Sequence, residues 1–196
     1  MFTGKDRFVA GTCDLGFSVL DFWQYAYSEL NSDPRDDIAE YLVSKALGLT
    51  EAYNRKNWTL FDILYPRNQK MFPDGYRIEV KCTGYYQTWR TDGKVSQQRA
   101  FSIRKAHDEN GVLSRHSDVY VFCLLNGNTR EEANPLDVNN WAFYMISTHR
   151  INEECGENKS ISLQRIKHMS PEFTYAQIKG EIDRIIDLEC DNVSHS

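Results

Sequence analysis

At 196 residues, with 41% hydrophobic and 13% aromatic content, the chain can bury a core and suits one domain rather than several. No run of roughly 18 apolar residues is present to span a bilayer, and the opening Met1-Phe2-Thr3-Gly4-Lys5-Asp6 lacks the apolar stretch of a secretory signal, so a cytoplasmic protein with no membrane partner is expected. A net charge of −5 argues against a protein that coats nucleic acid indiscriminately, which needs clustered Lys and Arg.

Residues 17–30 place Val19, Phe22, Trp23, Ala26, Tyr27 and Leu30 at helical spacing, which predicts an amphipathic N-terminal helix. Asn31-Ser32-Asp33-Pro34 breaks that pattern. A second helix is expected from about Asp36 to Leu47, with Ile38, Tyr41, Leu42, Lys45 and Ala46 on related faces, ended by Gly48. From Trp58 the period changes: the stretches Trp58 to Tyr65 and Tyr76 to Cys82 are rich in β-branched and aromatic residues, and the turn formers from Pro66 to Gly75 separate them. They predict an antiparallel hairpin with a long loop.

Ser117 to Leu125 is a continuous apolar run suited to a central strand, and Trp141 to Ser147 suits its neighbour. The polar connector 126–140 reads as a surface excursion. The last element, about Thr174 to Leu188, spaces Ile178, Ile182, Ile185 and Ile186 as a helix stripe, with a frayed tail from Asp191.

The five cysteines are odd in number and widely spaced, with no C-x-x-C, so reduced thiols are expected, Cys82 and Cys123 as small buried hydrophobes. The histidines lack zinc-ligand spacing, and no phosphate-binding or dinucleotide-binding glycine motif is present. From Arg77 to His116 the chain holds eight Lys and Arg against four Asp and Glu, a local basic excess.

If the hairpin reverses between Lys70 and Met71, Asp62 lies across from Glu79, and Leu64 with Arg77 and Leu60 with Lys81 share their face. The other face then pairs Phe61 with Val80, Ile63 with Ile78 and Tyr65 with Tyr76, an apolar set fit for a core. Directly opposite residues have β-carbons about 4.5–5.5 Å apart, close enough for two carboxylates to hold one divalent cation. Mg²⁺ or Mn²⁺ between Asp62 and Glu79, with Lys81 alongside, suits phosphodiester hydrolysis.

An acidic residue on one strand and E-x-K on the next, after a helix, resembles the core of the PD-(D/E)XK, or restriction-endonuclease-like, nuclease superfamily. The resemblance covers roughly residues 36–148 and implies an α/β fold with an αβββαβ core, a mixed central sheet flanked by helices. Residues 1–35 would then be a helical extension and 149–196 a C-terminal one. It implies Asp62 and Glu79 as Mg²⁺ ligands, the Val80 carbonyl as a third, and Lys81 as the catalytic lysine. Glu40 is similar to the glutamate that many members carry on the first core helix, although a glutamate on an amphipathic helix reads equally well as a solvated residue.

Two departures bear on the match. Phe61 stands where the family name puts proline, and the literal Pro73-Asp74 falls in the turn, where Asp74-Gly75 is a turn signal.

Gln87, Arg90, Arg99, Arg104 and Lys105 are candidates for contacts to phosphate or base edges. Tyr85, Tyr86 and Trp89 read either as stacking platforms or as core packing. The expectation is a Mg²⁺-dependent endonuclease on DNA, which the resemblance allows to be a homodimer. An inactive nucleic-acid-binding or protein-binding module of the same fold and an RNA-directed nuclease stay open.

Overall fold

Period-two and continuous apolar runs demand a sheet covered on both faces, and the computed structural model, which describes residues 2–28, 30, 34–49, 59–67, 72–86 and 99–194, contains one. In chain order the elements are β1 (Arg7–Ala10), β2 (Cys13–Ser18), α1 (Val19–Ala26), α2 (Pro34–Ala46), β3 (Ile63–Tyr65) and β4 (Tyr76–Gly84). Three short strands follow, β5 (Ala100–Ser102), β6 (Ala106–His107) and β7 (Leu113–Ser114), and then the long strands β8 (Val119–Leu125) and β9 (Trp141–Ser147). The chain closes with α3 (Thr148–Cys155), β10 (Ser160–Ser162), α4 (Leu163–Met169) and α5 (Ile178–Ser194).

The central sheet has the order β3-β4-β8-β9. β3 runs antiparallel to β4, β4 parallel to β8, and β8 antiparallel to β9. The expected central strand is β8, buried at all seven positions, as a strand covered on both faces must be. The class is therefore mixed α/β. The αβββαβ order is not what the described elements spell: between β4 and β8 they include three short strands and no helix, and a helix, α3, follows β9.

One face of the sheet, carrying Ile63, Ile78, Val80, Val121 and Phe143, packs on Ala39 and Val43 of α2 and on the stripe Ile178, Ile182, Ile185 and Ile186 of α5. The other carries Tyr120, Phe122, Tyr144 and Ile146 and packs on Phe101, Ile103, Ile151, Ile161 and Ile166. Residues after 148 thus supply helices to both cores. α5 also grips the β3–β4 pair, since the Tyr65 hydroxyl bonds Asp183 at 3.1 Å and the Tyr76 hydroxyl bonds Glu189 at 2.9 Å. The outer edge of β9 is covered at one point, where Phe143 and Phe173 exchange backbone bonds of 3.1 and 2.9 Å, which interrupts the open edge.

Four expectations are corrected. Phe17 and Ser18 belong to β2, because Ser18 and Asp21 form a reciprocal capping box that fixes the helix start at Val19. No residue of α1 is buried, so its apolar residues do not form a core-facing stripe. α2 begins at Pro34, a residue whose fixed φ suits a first helical turn, and buries Ala39, Glu40 and Val43 while Tyr41 stays 60% exposed. Its apolar residues lie nearly all round, and it is Ala39 and Val43 that it sets into the first core with Ile78 and Val80 of β4. Lastly, the strand expected from Trp58 is regular only over Ile63–Tyr65, and Trp58 lies outside the described residues.

Arg115 binds the second layer together. The residue is 7% exposed, and its guanidinium donates to the Ile103 carbonyl at 2.8 Å, to Asn152 Oδ1 at 2.6 Å and to the Gly156 and Asn158 carbonyls at 3.0 Å each. Two of these acceptors, the Gly156 and Asn158 carbonyls, lie at or just past the C-terminal end of α3, where exposed carbonyls and the helix dipole favour a cation.

Arg115→Met should therefore lower stability by about 3 kcal/mol or more, since four acceptors lose a charged donor. Arg115→Lys should recover little of it, because an ammonium cannot reproduce the planar fork. In the first core, Ile182→Ala should cost about 2–5 kcal/mol and the exposed Tyr41→Ala less than about 1. Urea denaturation of the four variants measures both contrasts.

Candidate functional site

Alternation along β4 sends Ile78 and Val80 into the first core, so Glu79 and Lys81 project from the opposite face. There they stand beside Tyr120 and Phe122, their partners in the parallel β8 register. The β3–β4 register is Ile63 with Ile78, Leu64 with Arg77 and Tyr65 with Tyr76, the one that places Asp62 across from Glu79. The ladder ends at Ile63 but Asp62 stays attached: its N–H donates to the Ile78 carbonyl at 3.0 Å, and its Oδ2 accepts from the Val80 N–H at 2.8 Å. The expected pairing of Leu60 with Lys81 and of Phe61 with Val80 does not continue the strand.

Three of the candidate residues come together. The Lys81 ammonium contacts Glu79 Oε1 and lies 4.0 Å from Asp62 Oδ2. The side chains of Asp62, Glu79 and Lys81 are 28%, 17% and 30% exposed, covered enough to feel one another and open enough to meet a solute. Burial and the nearby Asp62 charge push the Glu79 carboxyl above its ordinary range, and the Lys81 charge only partly opposes them. Burial works to lower the Lys81 pKa, but the two carboxylates outweigh it and the net shift is upward. Burial, and then the Glu79 charge, also raise the Tyr120 phenol. Two carboxylates around one ammonium carry a net negative charge, so the cluster favours a further cation.

Val80 contributes through its backbone. Within a strand, a residue's N–H and C=O point to the same side, and Val80 N–H points toward Asp62. Its carbonyl therefore faces the edge where β3 has ended.

Glu40 is 8% exposed on α2, the helix that covers the first face of the sheet, whereas Glu79 and Lys81 project from the second. Among the described residues no group of three or more His, Cys, Asp or Glu side chains is gathered to hold a metal, so Glu40 does not complete such a set with Asp62 and Glu79. Tyr120 is the neighbour that the sequence reading missed. A lone tyrosine in a strongly apolar strand was its only signal.

The expected nucleic-acid surface fares differently. Gln87, Arg90 and Trp89 lie outside the described residues, as does Lys94. Arg99 donates to the Tyr85 carbonyl at 2.7 Å with its guanidinium 5.6 Å over the Tyr85 ring, and Lys105 pairs with Glu157 at 2.5 Å. Arg77 is paired with Asp118, and Arg115 is spent inside the fold. Of the described basic residues in this stretch, Arg104 alone is exposed without such a partner. The local basic excess therefore does not amount to a free cationic surface among the described residues. Tyr85 and Tyr86 are half-buried against the second and first cores respectively, which favours the packing reading.

Asp74 takes its turn role. The Gly75 N–H bonds the Phe72 carbonyl at 2.9 Å, and Gly75 has φ +95° with Leu64 only 2.9 Å from where a β-carbon would sit, a place that demands glycine. All five cysteines are free. A cavity of about 580 Å³ between the end of β9, α3 and α5, lined by Met145, Arg150, Met169 and Ile185 among others, includes none of the cluster.

No described helix is long and apolar enough to cross a membrane. Comparison of the chain with protein-family models, curated proteins and solved structures gives no match, so a functional reading rests on the geometry of Asp62, Glu79 and Lys81.

Proposed function

We propose that this chain is a divalent-metal-dependent phosphodiesterase that cuts nucleic acid, DNA in the first instance, at the Asp62–Glu79–Lys81 cluster. The observation that carries the reading is the hairpin register, which delivers two carboxylates to one lysine on a partly exposed face. The fold is taken, in the same reading, as a variant of the restriction-endonuclease-like class, supported by the succession α2, β3, β4 and a mixed sheet.

The donor set fits Mg²⁺ or Mn²⁺. Mg²⁺ is commonly held by one or two protein carboxylates, with waters and substrate phosphate filling the other positions. Asp62 and Glu79 would hold the ion, and the Val80 carbonyl would add a third oxygen. When bound, the metal would polarise a phosphoryl oxygen and lower the pKa of a coordinated water.

Lys81 is held as an ammonium by its two carboxylate neighbours, so its role is electrostatic: it orients the attacking water and stabilises negative charge growing on the phosphate. Tyr120, beside Glu79 in the register, limits the positions that carboxylate can take. RNA offers the same phosphodiester to the same groups, and substrate class is a matter for the experiment below.

A second reading has its own observation. The direct contact of Lys81 with Glu79 is also what a charge-balanced structural cluster makes, in an inactive module that binds nucleic acid or protein.

A cleavage panel of single-stranded, duplex and branched DNA and of RNA, each with Mg²⁺, Mn²⁺ and EDTA, separates the two. The metal reading expects cutting that EDTA abolishes. Asp62→Asn, Glu79→Gln and Lys81→Ala should each reduce it by roughly 10²-fold or more. Cutting at the wild-type rate by all three variants would refute the site, and no cutting of any substrate with either metal would favour the inactive module.

A further inference from the structure

Among the described residues sixteen large hydrophobic side chains are exposed, and ten of them lie between Phe2 and Tyr27. The segment has structure of its own. β1 and β2 pair antiparallel, with β2 also contacting α1, and the Phe8 ring lies 5.0 Å from that of Phe17 and 6.5 Å from that of Phe22. Yet these three rings remain 38%, 45% and 50% exposed, Tyr25 is 83% exposed, and the segment gives no residue to either buried core. A two-stranded hairpin and an eight-residue helix are each marginal alone in water, and clustered apolar exposure on this scale marks an interaction surface.

Charge narrows the occupant. Arg7 pairs with Asp14, Asp6 accepts from Thr3, and Asp21 accepts from Ser18, so the segment's acidic groups and its arginine are largely satisfied within it. Two basic residues against three acidic ones between Lys5 and Asp21 offer no cationic face to phosphate or to an anionic membrane. The six other exposed large hydrophobics among the described residues lie singly or in one adjacent pair along the chain, so among those residues the surface with a like character is the same segment of another copy.

Size and backbone agree. The segment's ten large hydrophobics are 38–83% exposed, and at about 150–250 Å² for a whole aromatic side chain they present on the order of 1,000 Å², against about 800 Å² contributed per partner in a specific interface. β1 and β2 form a sheet of only two strands, so the hairpin keeps outer edges that the same hairpin can meet across a twofold axis.

We infer that residues 2–27 form a dimerisation arm, which joins two copies of the chain by packing arm against arm around Phe17, Phe22 and Trp23. The proposal is independent of the chemistry at Asp62 and Glu79.

Light scattering on a size-exclusion column with the full chain, from low to high micromolar concentration, tests it. Wild type should have twice the 22.8 kDa chain mass, and Phe17→Glu with Trp23→Glu should give the single-chain mass with an unchanged circular-dichroism spectrum. Should the double variant misfold, Tyr25→Glu, at a position too exposed to affect folding, should still weaken the dimer at least tenfold. A wild-type monomer at every concentration overturns the inference, and so does a dimer unaffected by these substitutions. A monomer that sediments with neutral phosphatidylcholine vesicles would also overturn it and assign the arm to a lipid surface.

Discussion

The antiparallel pairing of Ile63 with Ile78 determines both the core and the candidate site. Side chains alternate along a strand with a period of two, so a slip of one residue would exchange the two faces of β4. In the observed register Ile78 and Val80 enter the layer between the sheet and helices α2 and α5. The same choice leaves Glu79 and Lys81 on the other side and brings Asp62 level with Glu79. Burial of the apolar face thus holds two like charges near one another, which neither carboxylate would choose alone. The Val80 N–H, bonded to Asp62 Oδ2 at 2.8 Å, pins the first carboxylate after the strand has ended.

The electrostatics follow from that placement. Burial and Asp62 act together on Glu79, while Lys81 gains more from the two carboxylates than it loses to burial. The lysine therefore stays charged and satisfies one of two negative charges. In the proposed reading a cluster in this condition would take up a further cation, and the phosphate of a substrate would supply the oxygens that the protein does not. The arginines and lysines of the stretch 77–116 that lie among the described residues mostly serve the fold. Arg115 shows why a count of charges misleads: its guanidinium is used by four acceptors of the second layer.

Much of the central architecture was legible because it depends on local period. The runs that became β8 and β9, the isoleucine stripe of α5, the hairpin register and the turn at Asp74 all follow from alternation, helical spacing or turn chemistry. Features that depend on long-range packing were not. The residues of α2 are apolar on several sides, so periodicity could not choose Ala39 and Val43 over Tyr41 for the buried face. Helical spacing in residues 17–30 became a helix only over Val19–Ala26, and no partner face among the described residues buries it. Helices α3 and α4 begin at the N-capping residues Ser147 and Ser162, signals that were present but too short to stand out. The position of Glu40 was likewise set by the docking of α2, which the sequence does not encode locally.

The central claim is that Asp62 and Glu79 act as one cation site. Calorimetric titration of the metal-free protein with Mn²⁺ tests this most directly, alongside Asp62→Asn, Glu79→Gln and the combined variant. The account predicts one site per chain in the wild type, lost or strongly weakened by either single change, with the double variant no worse than the weaker single. Mn²⁺ binding that survives the double variant, or no binding by the wild type, would contradict it.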